Sequence, residues 1–260
     1  MISFSDAQWQ TLLAGFLWPL TRILGLIAAA PLLGSASVPV RVRIGLALAV
    51  TLLLTPQIKV PDIEPWSAPG IIVLATQFII GSMMGFAIQI AFAVVDLAGE
   101  VAGLQMGLGF ASFFDPLSAS DVPVIAQFLG MVATLLFLSL NGHLLLLSAL
   151  AGSFELVPIA APHLHAGIML DLVESGGRIF VSGFMLALPV IGALLIINLA
   201  LGVLTRAAPQ LNLFSVGFPL TLLAGIAVLT LVMPYLGDAL AGMFGQLLDF
   251  AAALFHEQSG

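Results

Sequence analysis

The chain's 260 residues are 61% hydrophobic and 7% charged, with a mean hydropathy of +1.20. An ordinary soluble domain carries about 25% charged residues, so the composition excludes that class and points to one polytopic, all-α, membrane-associated unit over residues 1–260. The net charge of −7 argues against nucleic acid, and the absence of cysteine excludes disulfides and thiolate metal sites.

The apolar content is too continuous for the alternating strands of a β-barrel. The start, MISFSDAQW, carries an acid, Asp6, rather than a basic leader, so no cleavable signal is expected. A first helix is predicted from about Trp9 to Leu33, with Ser5 or Asp6 as its cap and Pro19 as a kink site. Arg22 sits near its middle. An arginine at bilayer depth costs roughly 2.5–3.5 kcal/mol on insertion scales, so it faces protein or water, or else snorkels from a shallower helix.

A breaker-rich loop, Pro31 to Arg43, leads to a short apolar helix from about Ile44 to Thr55. A dozen residues is short of the ~20 that a span needs, which suggests one arm of a hairpin or a helix buried in protein. Pro56 to Pro69, with four prolines, reads as an extended linker.

Gly70 to Val95 is of spanning length, with Gln77 and Gln89 inside it. It runs into DLAGEVAGLQMGLGFASFFDPLSASDVP, residues 96–123. On a helical period Asp96, Glu100, Gly103 and Gly107 share one stripe, able to admit a close backbone or to line something wet. After it, Gly107 and Gly109 free the backbone, Phe110, Phe113 and Phe114 add bulk, and Asp115-Pro116 ends regular structure. A glycine-hinged aromatic loop between apolar helices reads either as a movable obstruction or as a connector packed at an interface.

Val124 to Leu150 is predicted as a long helix, capped by Asp121 and interrupted at Asn141-Gly142-His143. Pro158 to Asp171 reads as a loop; its His163 and His165 lack further ligands nearby, so no metal site is expected there. A very long helix follows, from about Ile168 to Leu204, with kink sites at Gly176-Gly177 and Pro189. Thr205 to Pro219 is turn-rich. Leu220 to Tyr235 is predicted as a short run ended by Pro234 and Gly237, then Asp238 to His256 as a separate amphipathic helix whose acidic polar face suits a protein partner better than anionic lipid. Six basic residues spread over the chain leave the positive-inside rule little to count.

Two segments, GLQMGLGFASFFDP at 103–116 and RAAPQLNLFSVGFPLTL at 206–222, resemble the signature segments of the FliR family. VPVRVRIGLALAV at 38–50 and FLSLNGHLLLL at 137–147 resemble it too, and the likeness covers essentially the whole chain in order. That resemblance implies a component of the flagellar type III export apparatus in the bacterial inner membrane, within the basal body. It implies one copy of this chain with several FliP and FliQ subunits, built from kinked helical hairpins and forming the portal for unfolded flagellar export substrates. FlhB and FlhA would be further partners, and lipid would surround part of the assembly. The loop around Gly107, Gly109, Phe110, Phe113, Phe114, Asp115 and Pro116 would be the plug that closes the pore. Arg22, Asp96, Glu100, Arg206, Gln210 and Asn212 would face neighbouring subunits or the pore. No cofactor, metal or enzymatic activity is implied. The alternatives are the injectisome branch of the same family, a stand-alone secondary transporter using broken helices and buried acids, or a scaffold without a gate.

Overall fold

The computed structural model describes residues 6–61, 63–110, 123–159, 166–208 and 216–253. Among these there is no strand. Seven α-helices follow in order: α1 Asp6–Ala29, α2 Val40–Leu54, α3 Ala68–Gln105, α4 Val124–Ser139, α5 Gly142–Leu156, α6 Ala166–Ala207 and α7 Phe218–Ala253. Four helical stretches are long and apolar enough to cross a membrane, or five if the broken pair α4–α5 counts as one. The chain divides into two compact units: residues 1–90, 141–176 and 244–260 form unit 1, and 91–140 with 177–243 form unit 2.

Unit 1 is built on an unusually close approach of α1 to α3. A Cβ on Gly81 would overlap the Arg22 carbonyl, one on Gly25 would overlap the Phe78 carbonyl, and one on Gly85 would reach the Leu26 carbonyl at 2.7 Å. Gly81 and Gly85 lie one turn apart, the small-xxx-small spacing that lets apolar helices touch along their backbones. Trp18, Ile23, Leu26, Ile80, Met84 and Ile88 fill the ground on either side and are fully buried. Ser67 starts α3: its Oγ accepts from Gly70 N at 3.2 Å and donates to Glu64 O at 2.6 Å.

Arg22 lies inside this unit with no exposed surface. Its Nε donates to Gln77 Oε1 at 2.7 Å, Nη1 to Ser153 O at 2.8 Å and Oγ at 3.1 Å, and Nη2 to Val157 O at 2.9 Å. Ser153 and Val157 are the last turn and the C-terminal cap of α5, where the dipole is negative; Ser153 O also accepts from Val157 N at 3.0 Å. The guanidinium therefore caps α5 and stacks on Phe154, 4.1 Å from the ring centroid. The buried charge is met by amide and carbonyl dipoles.

In unit 2, α3 and α4 touch through Gly99, whose Cβ would collide with the Ala126 backbone, and through Phe92 edge-on to Phe137 at 5.9 Å. Ala102, Met106, Val190, Leu194 and Leu229 form a core shared by α3, α6 and α7.

One expected helix end differs from the sequence reading. Pro234 does not end a helix: α7 runs unbroken from Phe218 to Ala253, so the separate last helix is the second half of one long element. Proline removes one N–H, yet apolar runs on both sides keep every other backbone bond inside the helix, which an apolar setting demands. As expected, α6 is a single long helix that contains Pro189 and the Gly176-Gly177 pair. The predicted interruption at Asn141 is a full break. Asn141 adopts φ 55, ends α4, and its carbonyl accepts from Leu144 N at 2.9 Å and Leu145 N at 3.1 Å, so one residue closes one helix and opens the next. Pro123, rather than a side-chain cap, precedes α4; Asp121 lies outside the described residues.

Candidate functional site

The loop after α3 is defined by its two roots. At the first, α3 stops at Gln105, Met106 N still bonds Ala102 O at 3.0 Å, and Gly107 N turns back to Leu104 O at 3.0 Å. Gly107 takes φ 84, where a side chain would be strained. A short 3-10 turn, Leu108–Phe110, follows. At the second root, Pro123 Cβ lies 3.5 Å from where a Cβ on Gly103 would sit, and Ile125 lies 3.8 Å from it. The chain thus leaves and returns beside the last turn of α3. The described residues on the two sides of 111–122 therefore lie close together, while 111–122 themselves lie outside the described residues.

The roots stand on packed ground. Met106 is fully buried in the core of unit 2, with Leu108 and Ile125 against the same cluster. Thr221 Oγ1 of α7 donates to Phe218 O at 3.0 Å and, more weakly, to Met106 O at 3.4 Å. Gly225, one turn on, makes room for Met106: a Cβ there would lie 2.8 Å from Met106 Cε. The two sequence segments 103–116 and 206–222 therefore meet at Met106 and Thr221, about 115 positions apart in the chain. Sequence reading singled out neither residue, nor Gly225. The signal was present in the pairing of a bulky methionine with a glycine, but nothing local says which glycine receives which side chain.

Replacing Met106 by alanine is expected to lower the stability of the extracted protein by roughly 2–5 kcal/mol through a cavity, whereas leucine is expected to cost less than about 1.5 kcal/mol. Thermal melts of the detergent-extracted full chain check this; equal melting of wild type and alanine variant would show that the root is not seated as described.

The remaining expected site residues distribute as follows. Gly109 is described, and a Cβ on it would lie 2.8 Å from Leu104 Cδ2. Phe110 is described in its backbone, while Phe113, Phe114, Asp115 and Pro116 lie outside the described residues, as do Gln210 and Asn212. Arg22 faces its own chain. Asp96 is exposed and Glu100 partly so, one turn apart on α3; a Cβ on Gly130 would lie 3.4 Å from Asp96 Oδ1. Gly103 is buried against the start of α4, and Gly107 lies past the helix end, so the predicted four-residue stripe divides into an acidic exposed part and a packed glycine part. Arg206 is exposed in the last turn of α6. His143 has a buried Nδ1 with no partner among the described residues. No group of three His, Cys, Asp or Glu able to hold a metal occurs among the described residues, and His163 and His165 lie outside them.

Around this site the apolar surface is largely uncovered. The most apolar window of α3 is 67% buried, against 22% for those of α6 and α7. Phe180, Phe184, Leu188, Ile196 and Leu199 of α6 and Leu223 and Leu231 of α7 stand exposed. Such an area requires lipid or other subunits.

Comparison with known proteins accounts for the whole chain. Residues 13–247 match the family described as bacterial export proteins, family 1. The Flagellar biosynthetic protein FliR of Escherichia coli (strain K12) is 43% identical over 257 residues, covering 99% of this chain and 98% of that protein. Its namesake from Pectobacterium carotovorum subsp. carotovorum is 42% identical over 100% of this chain and 99% of that protein. That of Bacillus subtilis (strain 168) is 28% identical, over 92% of this chain and 93% of that protein. A match of this length, through both segments that meet at Met106 and Thr221, makes the chain a member of the FliR family of bacterial export proteins.

Proposed function

We propose that this chain is a structural and gating subunit of the flagellar type III export gate in the bacterial inner membrane. In this reading it assembles, as one copy, with several FliP and FliQ subunits, stands next to FlhA and FlhB, and admits unfolded flagellar export substrates. The relatives' shared description as flagellar biosynthetic proteins favours the flagellar branch over the injectisome, and over a stand-alone carrier. The role is that of a conduit, with no chemical step.

One observation carries the gating half: the loop 107–122 starts and ends at adjacent, packed roots. A plug needs an anchored base so that the loop can be displaced without unfolding the helices beneath it. Gly107 at positive φ supplies the pivot, and the phenylalanines supply bulk that excludes water. The exposed apolar faces of α6 and α7 give the partner subunits and lipid their contact surface.

Deleting Gly107–Phe114 is expected to make the inner membrane leak small ions while the variant still co-purifies with its partners. Ion permeability measured by a voltage-sensitive dye, alongside the mass of the extracted assembly, checks both halves. A tight membrane around an intact variant assembly would overturn the plug reading and leave a scaffold.

A further inference from the structure

In unit 2, helix α6 gives its own chain only a narrow seam. Gly183, Ala187, Val190, Leu194 and Leu201 are buried on one stripe. The rest of the circumference is open: Leu195, Ile196, Leu199 and Val203 are exposed, Leu199 at 71%.

Between Arg178 and Thr205 this helix carries two polar side chains, Ser182 and Asn198. Asn198 stands on the open side and makes no hydrogen bond among the described residues. Leu195 one turn before it, Gly202 one turn after and Arg206 two turns after share its face. A Cβ at Gly202 would meet nothing within 4 Å, so no contact in the chain accounts for a glycine there, where it weakens a helix. Arg206 is exposed and has no ion pair among the described residues. It lies about 12 Å along the axis from Asn198. With Arg206 at the headgroups, Asn198 sits near the middle of a ~30 Å hydrocarbon core.

The chemistry of this face limits what can cover it. Lipid suits Leu195 and Leu199, but hydrocarbon offers a carboxamide neither donor nor acceptor and leaves its N–H groups and oxygen unmet. Water suits the amide and not the leucines around it. A protein helix suits both if it brings a polar group to the level of Asn198, and the open Gly202 lets its backbone come close. A second copy of this chain does not fit through the same face. Copies in one membrane share an orientation, so a two-fold contact sets Arg206 against Arg206.

We infer that the face carrying Leu195, Asn198, Gly202 and Arg206 receives a helix of a different protein. That helix places a hydrogen-bonding side chain opposite Asn198 and, about 12 Å further along its axis, an acid opposite Arg206. The inference rests on the assembly role proposed above in requiring a complex of unlike chains, and adds to it the face and the chemistry of the partner.

The test uses the full-length chain in its native membranes, with the photo-crosslinking residue p-benzoylphenylalanine in place of Leu195. Adducts are identified and sequenced by mass spectrometry. The expected adduct joins an apolar helix of another protein, in which an Asp or Glu stands about two turns from an amide or hydroxyl side chain. N198L and R206E, made singly, are each expected to lower its yield about three- to ten-fold. The detergent-extracted chain alone is expected to melt unchanged, since neither side chain bonds within it. Exchanging the partner's acid for lysine is expected to restore the yield in R206E. Adducts to phospholipid or to a second copy of this chain, or a yield indifferent to both substitutions, would overturn the inference. Where the wild-type assembly is still extracted intact, the export-gate reading survives that result; a chain extracted alone and joined to no protein would overturn both.

Discussion

Arg22→Ala is expected to remove the full-length chain from the membrane fraction almost completely. The substitution deletes the guanidinium donors to Gln77 Oε1, Ser153 O and Val157 O, at distances of 2.7 to 2.9 Å, and leaves Ser153 O only its helical bond from Val157 N. A hydrogen bond to a charged group contributes about 1.5–3 kcal/mol, and removing one side of a buried charged interaction costs roughly 3–5 kcal/mol in all. That is a large share of the ~5–15 kcal/mol that holds a typical domain together. Lysine at this position keeps the charge but not the fork, so it can cap the Val157 carbonyl or meet Gln77, not both. R22K is therefore expected to accumulate to an intermediate level. Immunoblots of membrane fractions, with thermal melts of whatever can be extracted, read the order wild type, lysine, alanine. Alanine accumulating at wild-type level would mean that the α5 end is capped by something other than this guanidinium.

Gly81→Val is expected to be nearly as damaging, for a different reason. No polar group is lost; the added atoms would occupy the space of the Arg22 carbonyl and the Leu26 amide on α1. These are backbone atoms, which cannot swing away as a flexible side chain can. Overpacking typically costs about 1–3 kcal/mol and more where backbone must move, so the α1–α3 pair is expected to open and Arg22 to lose its register with Gln77. Gly45→Val is the matched control, because a Cβ at Gly45 meets nothing within 4 Å. The same melts separate the two: a large fall at position 81 and little change at 45. Equal behaviour would show that the helices do not approach as closely as described.

Much of this architecture was legible in the sequence because apolar runs and breakers act locally. The helix class followed from composition and the break at Asn141 from a residue that tolerates the left-handed region, whereas the predicted extended linker is shorter than Pro56 to Pro69, since Pro56 lies in a 3-10 turn and Pro69 in α3. Pro234 misled for an instructive reason. A proline is a strong stop where water can satisfy the freed carbonyl and the turn that follows, and a weak one where leaving the helix strands more groups than staying in it. Arg22 was conspicuous in the sequence, but its partners were not, since Ser153 and Val157 lie 131 and 135 positions away. The loop itself was readable from glycine and phenylalanine, whereas its footing on Met106, Thr221 and Gly225 depends on which helices pack together.

The division into two units bears on how the molecule can be made. Unit 1 draws on three separate stretches, the last beginning at Phe244, and unit 2 closes only with residues up to Met243. A ribosome delivers the amino-terminal helices long before the chain that completes either unit. Contacts of such sequence separation form slowly, because a long segment must be ordered before any of them returns free energy. Until synthesis reaches the end of α5, α1–α3 must wait with Arg22 short of its bonds to Ser153 and Val157, and unit 1 stays incomplete until the stretch from Phe244 is made. A nascent chain in that state is a natural client for an insertase or chaperone, and truncation near the carboxyl terminus should therefore be felt at the amino-terminal end.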